Sequence, residues 1–382
     1  MKVFIESTPV FGQRTGVAQY IKRLVDTTVK LDENNNYTAF GFLFFGRVLK
    51  NGRYEENENL RYAFIRYFPG RVYTKLMKWF IAPPVDLLMG KRADVMLFMN
   101  YISWPTILPT KKIVAVYDLS YKVYPQYTDQ QLKKFFDKFL GKSISKAAHI
   151  ITISENSKQE ITKYYGIPEK DISIVHPAVD HELYVPKNKS QIDAIKSKYN
   201  IKQSYILSLG TIEPRKNLVG LLNAFDLLSE DIKKTHTLVL AGGKGWLDSD
   251  INQVYEELSK KYDIVRTGYL PDEDLPALYS GAKVFVFPTF YEGFGMPPLE
   301  AMACGTPVIA SNNSSLPEVV GDAALMVDAH QTPDITQAIQ RVLTDAKLSK
   351  SLAAKGLEQA KKFTWEKSAK NLIRIIDKVG AK

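Results

Sequence analysis

Cysteine is nearly absent: Cys304 is alone among 382 residues. One thiol cannot close an intramolecular disulfide, and its neighbours in Ala-Met-Ala-Cys-Gly fit a buried structural thiol better than a nucleophile. Histidine is scarce as well, and neither His176 nor His181 has a companion at metal-ligand spacing. No window approaches the roughly 18 to 20 consecutive apolar residues of a membrane span. Met1–Ile5 runs at once into Glu6 and a polar loop, unlike a signal peptide, so a cytoplasmic protein is expected. Repeats and low-complexity segments are missing too. Gly12 and Gly16 are followed by no Gly-Lys-Ser/Thr, which rules out a Walker loop.

What is present is a chain long enough for two ordinary domains, with globular values of 45% hydrophobic and 24% charged residues. The net charge of +10 is unevenly placed: residues 1–190 hold 28 Lys and Arg against 18 Asp and Glu, whereas residues 191–382 hold 23 of each. The excess gathers in Arg61–Lys78, where Arg61, Arg66, Arg71, Lys75 and Lys78 alternate with Tyr62, Phe64, Tyr67, Phe68, Tyr73 and the adjoining Trp79, and no acid. Such interleaving suits peripheral contact with an anionic membrane or a phosphate-bearing lipid; a solvated helix face packed by its aromatics is the equal alternative. Nucleic acid is not expected, because no recognised binding motif accompanies the charge.

The most informative stretch is 283–307. Val284–Phe287 is short, aromatic and β-branched, as in a strand buried on both faces. Pro298 suits a first helical position, Glu300 the opening turn and Gly305 the stop. Between them, Gly293-Phe294-Gly295 lets backbone N–H groups approach an anion at the positive end of a helix, so the geometry asks for a phosphate. The flanking acids Glu292 and Glu300 would repel a diphosphate and are assigned instead to hydroxyl groups. The third glycine of a dinucleotide fingerprint is missing, since Pro298 stands there. Further strands are expected at Val3–Ile5, Val95–Phe98, Lys112–Tyr117, His149–Ile153, Ile172–Val175 and Tyr205–Gly210, with helical patterns between the later ones, hence α/β with parallel sheets.

Glu292 and Glu300 form a Glu-x7-Glu motif, and the surrounding Tyr-Glu-Gly-Phe-Gly-Met-Pro-Pro-Leu-Glu-Ala-Met-Ala-Cys-Gly-Thr-Pro-Val closely resembles family 4 of the retaining GT-B glycosyltransferases. The likeness spans nearly the whole chain, strong over 205–325 and weak over 30–95. It implies a GT-B fold of two Rossmann-like domains facing a cleft: an acceptor-binding domain at 1–186 completed by a C-terminal helix from about 365 to 382, a hinge near 186–200, and a nucleotide-sugar domain at 200–362. It implies that Arg215 and Lys216, in Gly-Thr-Ile-Glu-Pro-Arg-Lys-Asn, clamp the donor diphosphate with the amides of Gly293, Phe294, Gly295 and Met296. Glu300 then holds ribose, Glu292 a donor-sugar hydroxyl, and Tyr269, Leu270 and Leu275 the floor for the base. Gly16 resembles the glycine loop that faces the donor. Tyr117-Asp118 stands where His-Asp is common, making Tyr117 a neutral hydrogen-bond partner, and Thr211 replaces an Arg of some members.

The reading is a retaining, metal-independent hexosyltransferase without a cofactor, moving a sugar from a nucleotide diphosphate sugar to a glycan or lipid-linked acceptor. The wording around Arg215 and Trp246 leans to GDP-mannose, with a UDP-sugar next. Asp248-Ser249-Asp250 and Asp272-Glu273-Asp274 are possible metal triplets, but both sit where acids cap helices. A sugar-nucleotide epimerase and a non-catalytic sugar-nucleotide binder are the alternatives.

Overall fold

Each short apolar run becomes a strand, and every strand pairing is parallel. The computed structural model describes residues 1–12, 15–43, 53–79 and 81–381. Its first sheet comprises β1 (Lys2–Glu6), β2 (Asn36–Phe42), β3 (Leu60–Ile65), β4 (Val95–Phe98), β5 (Lys111–Ala115), β6 (His149–Thr152) and β7 (Ile172–Ile174), in the order β3-β2-β1-β4-β5-β6-β7. The second comprises β8 (Ser204–Leu209), β9 (His236–Ala241), β10 (Ile264–Gly268), β11 (Val284–Phe287), β12 (Val308–Ser311) and β13 (Ala324–Val327), in the order β10-β9-β8-β11-β12-β13. Both are doubly wound. The strand order reverses between β1 and β4 in one sheet and between β8 and β11 in the other, and ligands of such sheets gather at that reversal, beyond the carboxyl ends.

Two compact units result: Met1–Leu119 with Asp129–Pro177 and Trp365–Lys382, and Ser120–Thr128 with Ala178–Thr364. The closing helix Trp365–Gly380 lies in the first unit, where Leu372, Ile375, Ile376 and Val379 join Leu24 and Val25 of the Gly16–Leu31 helix in one core. The crossing between units falls after Pro177 and not in the polar run 186–200. That run is a helix, Lys189–Lys198, because Asn188 and Gln191 form a reciprocal capping box. It is tied to the second unit through Asp274, which accepts from Lys198 Nζ at 2.6 Å and Tyr199 Oη at 2.5 Å.

Strands β2 and β3 occupy the stretch where family likeness is weak. The Arg61–Lys78 segment accordingly splits. Arg61–Ile65 is an edge strand whose Tyr62 and Phe64 rings stand 6.3 and 5.2 Å from Phe11, and Tyr73 is buried 4.7 Å from Phe42. Those aromatics fill the core, while Arg66, Arg71, Lys75 and Lys78 stay exposed.

Candidate active site

At the reversal of the second sheet, β8 runs into Gly210 and then a single 3-10 turn, Pro214–Lys216. Asn217 ends the turn at φ +53; its side chain accepts from Gly220 N and donates to Ala329 O at 2.7 Å, fixing the entry to the Leu218–Asp226 helix. The turn presents Arg215 and Lys216 to β11. There Glu292 Oε1 meets Lys216 Nζ at 2.6 Å and Arg215 Nη1 at 3.0 Å. Arg215 also donates from Nη2 to Glu213 Oε1 at 2.5 Å and from Nη1 to the Tyr291 carbonyl at 2.7 Å. Lys216 Nζ lies 4.9 Å from the centre of the Phe287 ring.

Two cations and two acids therefore face one another in a nearly buried cluster. Burial alone would raise the Glu292 carboxyl, but Arg215 and Lys216 outweigh it and hold it below the usual carboxylate range. Glu213 is buried more completely, and burial pushes its carboxyl up against the pull of Arg215; its Oε2 has no hydrogen-bond partner.

The glycine loop is held by Ser315, whose Oγ donates to the carbonyls of Glu292 at 2.8 Å and Phe294 at 2.7 Å. Gly295 is required as glycine: its φ is +114, and a Cβ there would lie 2.6 Å from Leu316 Cδ2. It caps a helix that begins at Met296, two residues before the start expected at Pro298. The prolines at 297 and 298 occupy first-turn positions whose N–H groups make no intrahelical bond, so the helix extends back to the glycine. In this turn only Met296 and Leu299 carry an N–H.

Glu300 lies one turn further in, accepting from Tyr279 Oη at 2.9 Å and from the Tyr184 hydroxyl. Burial raises its carboxyl to about 7. After β10, Tyr269 is exposed at 70% while Leu270 is buried and Leu275 half-buried at the start of the Leu275–Gly281 helix. The loops after β8 and β9 touch, since a Cβ on Gly242 would lie 2.0 Å from the Gly210 carbonyl oxygen.

The first unit holds the remaining candidates. Gly16 opens its helix behind the Thr15 cap with nothing within 4 Å of a Cβ position. Asp118 follows β5 in the loop before Ser120. Tyr117 departs from its assigned place as a sugar-facing partner: it is buried, its hydroxyl donates to the Met99 carbonyl, and its ring packs edge-on to Tyr20 at 5.5 Å and Tyr101 at 5.4 Å. A large ring replaces imidazole there and is drawn into the aromatic core. Among the metal triplets, Asp274 is taken by Lys198 and Tyr199, while Asp248 and Asp250 begin the Ser249–Leu258 helix. Glu213, Tyr184 and Tyr279 were not singled out from the sequence; the Glu-Pro-Arg spacing carried the signal for the first, whereas the tyrosines are brought in only by folding.

Comparison with known proteins fits this geometry. The model "Glycosyltransferase Family 4" matches residues 16–183, and "Glycosyl transferases group 1" matches 191–359. O-antigen chain mannosyltransferase B of Escherichia coli is 39% identical over 257 residues, 67% of each chain. The serotype-specific mannosyltransferase WbdA of the same species is 36% identical over 63% of this chain and 30% of its own length. Among solved structures, sucrose-phosphate synthase from Thermosynechococcus elongatus superposes with a TM-score of 0.75 at 18% identity, covering 100% of this chain and 99% of that one. Anabaena HepE, in complex with UDP and glucose, gives 0.70 at 14% identity over 98% and 99%. The two parallel sheets, the cation pair at the reversal of the second and the matches along both halves agree: this chain has the GT-B fold and belongs to the group 1 glycosyl transferases of family 4, as a hexosyltransferase.

Proposed function

We propose that this protein transfers mannose from GDP-mannose, with retention of anomeric configuration and without a metal, to a glycan carried on a lipid in polysaccharide biosynthesis. The observation that carries the reading is the Arg215–Lys216 pair held on Glu292 at the β8/β11 reversal, beside the Gly295-capped helix. An incoming diphosphate takes over the cations, and Glu292 is released toward a hydroxyl of the donor sugar. The guanidinium, the ammonium and the loop amides then stabilise charge growing on the leaving diphosphate, where preorganised donors act most strongly. Glu300 accepts from ribose, and the exposed Tyr269 ring with Leu270 offers a surface for the base. The Escherichia coli mannosyltransferases support mannose as the sugar. A lipid-linked acceptor also fits peripheral contact of the basic first unit with an anionic membrane.

The test is incubation with a panel of GDP- and UDP-sugars and membrane extract, read by mass spectrometry. A hexose added to the extract from GDP-mannose alone is the expected result. Transfer only from a UDP-sugar would overturn the donor, and a converted sugar nucleotide formed without acceptor would indicate an epimerase. Lys216→Ala should lower kcat/KM by about a hundredfold, the scale of losing one preorganised charge.

A further inference from the structure

The chain visits the second unit early. Ser120–Thr128 follows β5 of the first sheet in sequence, yet it belongs with Ala178–Thr364. The first unit resumes at Asp129, whose side chain caps the Gln130–Ile144 helix by accepting from Gln131 N at 3.0 Å and Leu132 N at 2.9 Å. The visiting segment is tightly wound: one helical turn, Ser120–Val123, then a 3-10 turn, Pro125–Tyr127, in which Tyr127 N donates to Tyr124 O at 3.1 Å. That turn brings the rings of Tyr124 and Tyr127 to 5.9 Å, 6° from parallel.

Both rings meet the residues that lead from β11 to Glu292. Tyr127 stacks on Phe290 at 5.7 Å and 19°, and Tyr124 stands 6.0 Å from Tyr291. His330, after β13, stacks on Phe290 as well, at 4.9 Å and 24°. Trp246, in the loop after β9, donates from Nε1 to the Tyr127 carbonyl at 2.9 Å and pins the turn from another element. What these contacts fix is Arg215. Phe290 N donates to the Arg215 carbonyl at 2.9 Å, and Arg215 Nη1 donates to the Tyr291 carbonyl, so its main chain and its guanidinium are held on one dipeptide. The Phe290 ring is only half-buried, so its place depends on the rings stacked against it.

We infer that Tyr127 is a positioning residue for the donor diphosphate, acting through Phe290 on the Arg215 guanidinium. It needs no contact with phosphate. Its ring holds Phe290, Phe290 and Tyr291 hold Arg215 at both ends, and Trp246 keeps the Tyr127 turn in register. A guanidinium displaced by about an ångström no longer presents two N–H groups to a diphosphate, and misplacement on that scale is costly. A monophosphate, which does not reach this fork, is insensitive to it. The inference rests on the diphosphate role proposed above for Arg215 and adds a support for it from a stretch of sequence outside the second half of the chain.

The experiment titrates the full chain with GDP, GMP, UDP and UMP in a calorimeter. The diphosphate of whichever base binds should bind more tightly than its monophosphate, and Lys216→Ala should remove that preference. Tyr127→Ala should lower diphosphate affinity about threefold to tenfold, the scale of one stacked pair, with the monophosphate nearly unchanged. Tyr127→Phe, which keeps the ring, should bind as the unaltered chain does. Trp246→Phe removes the Nε1 bond and should lower diphosphate affinity about threefold, which tests the inference even where Tyr127→Ala fails to fold. Equal losses for diphosphate and monophosphate, Tyr127→Phe no better than Tyr127→Ala, or full diphosphate affinity in Trp246→Phe would overturn it and leave the Arg215–Lys216 clamp standing. No preference for a diphosphate in the unaltered chain would overturn both.

Discussion

Glu300 sets function against stability at a single carboxyl. Its value rises from 4.5 to about 7 on folding, so between these values the folded chain holds a proton that the unfolded chain has lost. The contribution is complete below about 4.5, falls as pH rises, and becomes a penalty of about 1–3 kcal/mol above 7. Glu300→Gln should thus raise Tm at pH 8, a gain that disappears at pH 4, while weakening nucleotide binding because the amide accepts less strongly from ribose. Melting curves at both pH values and nucleotide titration would check both parts. In the intact protein, nucleotide affinity should decline as pH drops through about 7. Glu213 acts one step removed, by aiming the Arg215 guanidinium. Glu213→Gln should weaken binding of a nucleoside diphosphate about tenfold, the loss of one charge-assisted bond, and leave the monophosphate nearly unaffected; equal losses for both would deny it that role.

The glycine loop between β11 and the Met296–Ala303 helix is the element on which the site turns. Gly295→Ala combines a disfavoured φ with a 2.6 Å approach to Leu316. It should cost about 2 kcal/mol or more and lower diphosphate affinity, measurable by denaturant unfolding and nucleotide titration. This element was legible in the sequence because its signals are local: the buried run Val284–Phe287, the glycines and the acids fall within one strand, loop and helix. Its helix start was misjudged, because Pro298 reads as an opening residue although Pro297 and Met296 precede it in the same turn. The site beyond it was less legible. Lys216 and Glu292 are 76 residues apart in sequence, and they meet because β8 and β11 lie side by side. The aromatics of 61–79 could not be sorted into core and surface for a similar reason, since nothing local tells Tyr73, which packs on Phe42, from the exposed Trp79.

At the scale of the molecule, the two units should melt separately, since each has its own sheet and core. Calorimetry should resolve two transitions, with nucleotide raising only that of the second unit. Ile376→Ala, which empties a buried position of the closing helix, should lower the first by an amount equivalent to about 2–5 kcal/mol and leave the second in place. One transition shifted as a whole would contradict this. The closing helix has a further consequence for how the protein is made. Residues 1–177 leave the ribosome first, yet their core lacks Leu372, Ile375, Ile376 and Val379 until the second unit has been synthesised. At ordinary rates of translation that interval is on the order of ten seconds. The half born earliest is the last to mature, and while it waits, the side of Gly16–Leu31 meant for its partner lies open to chaperones.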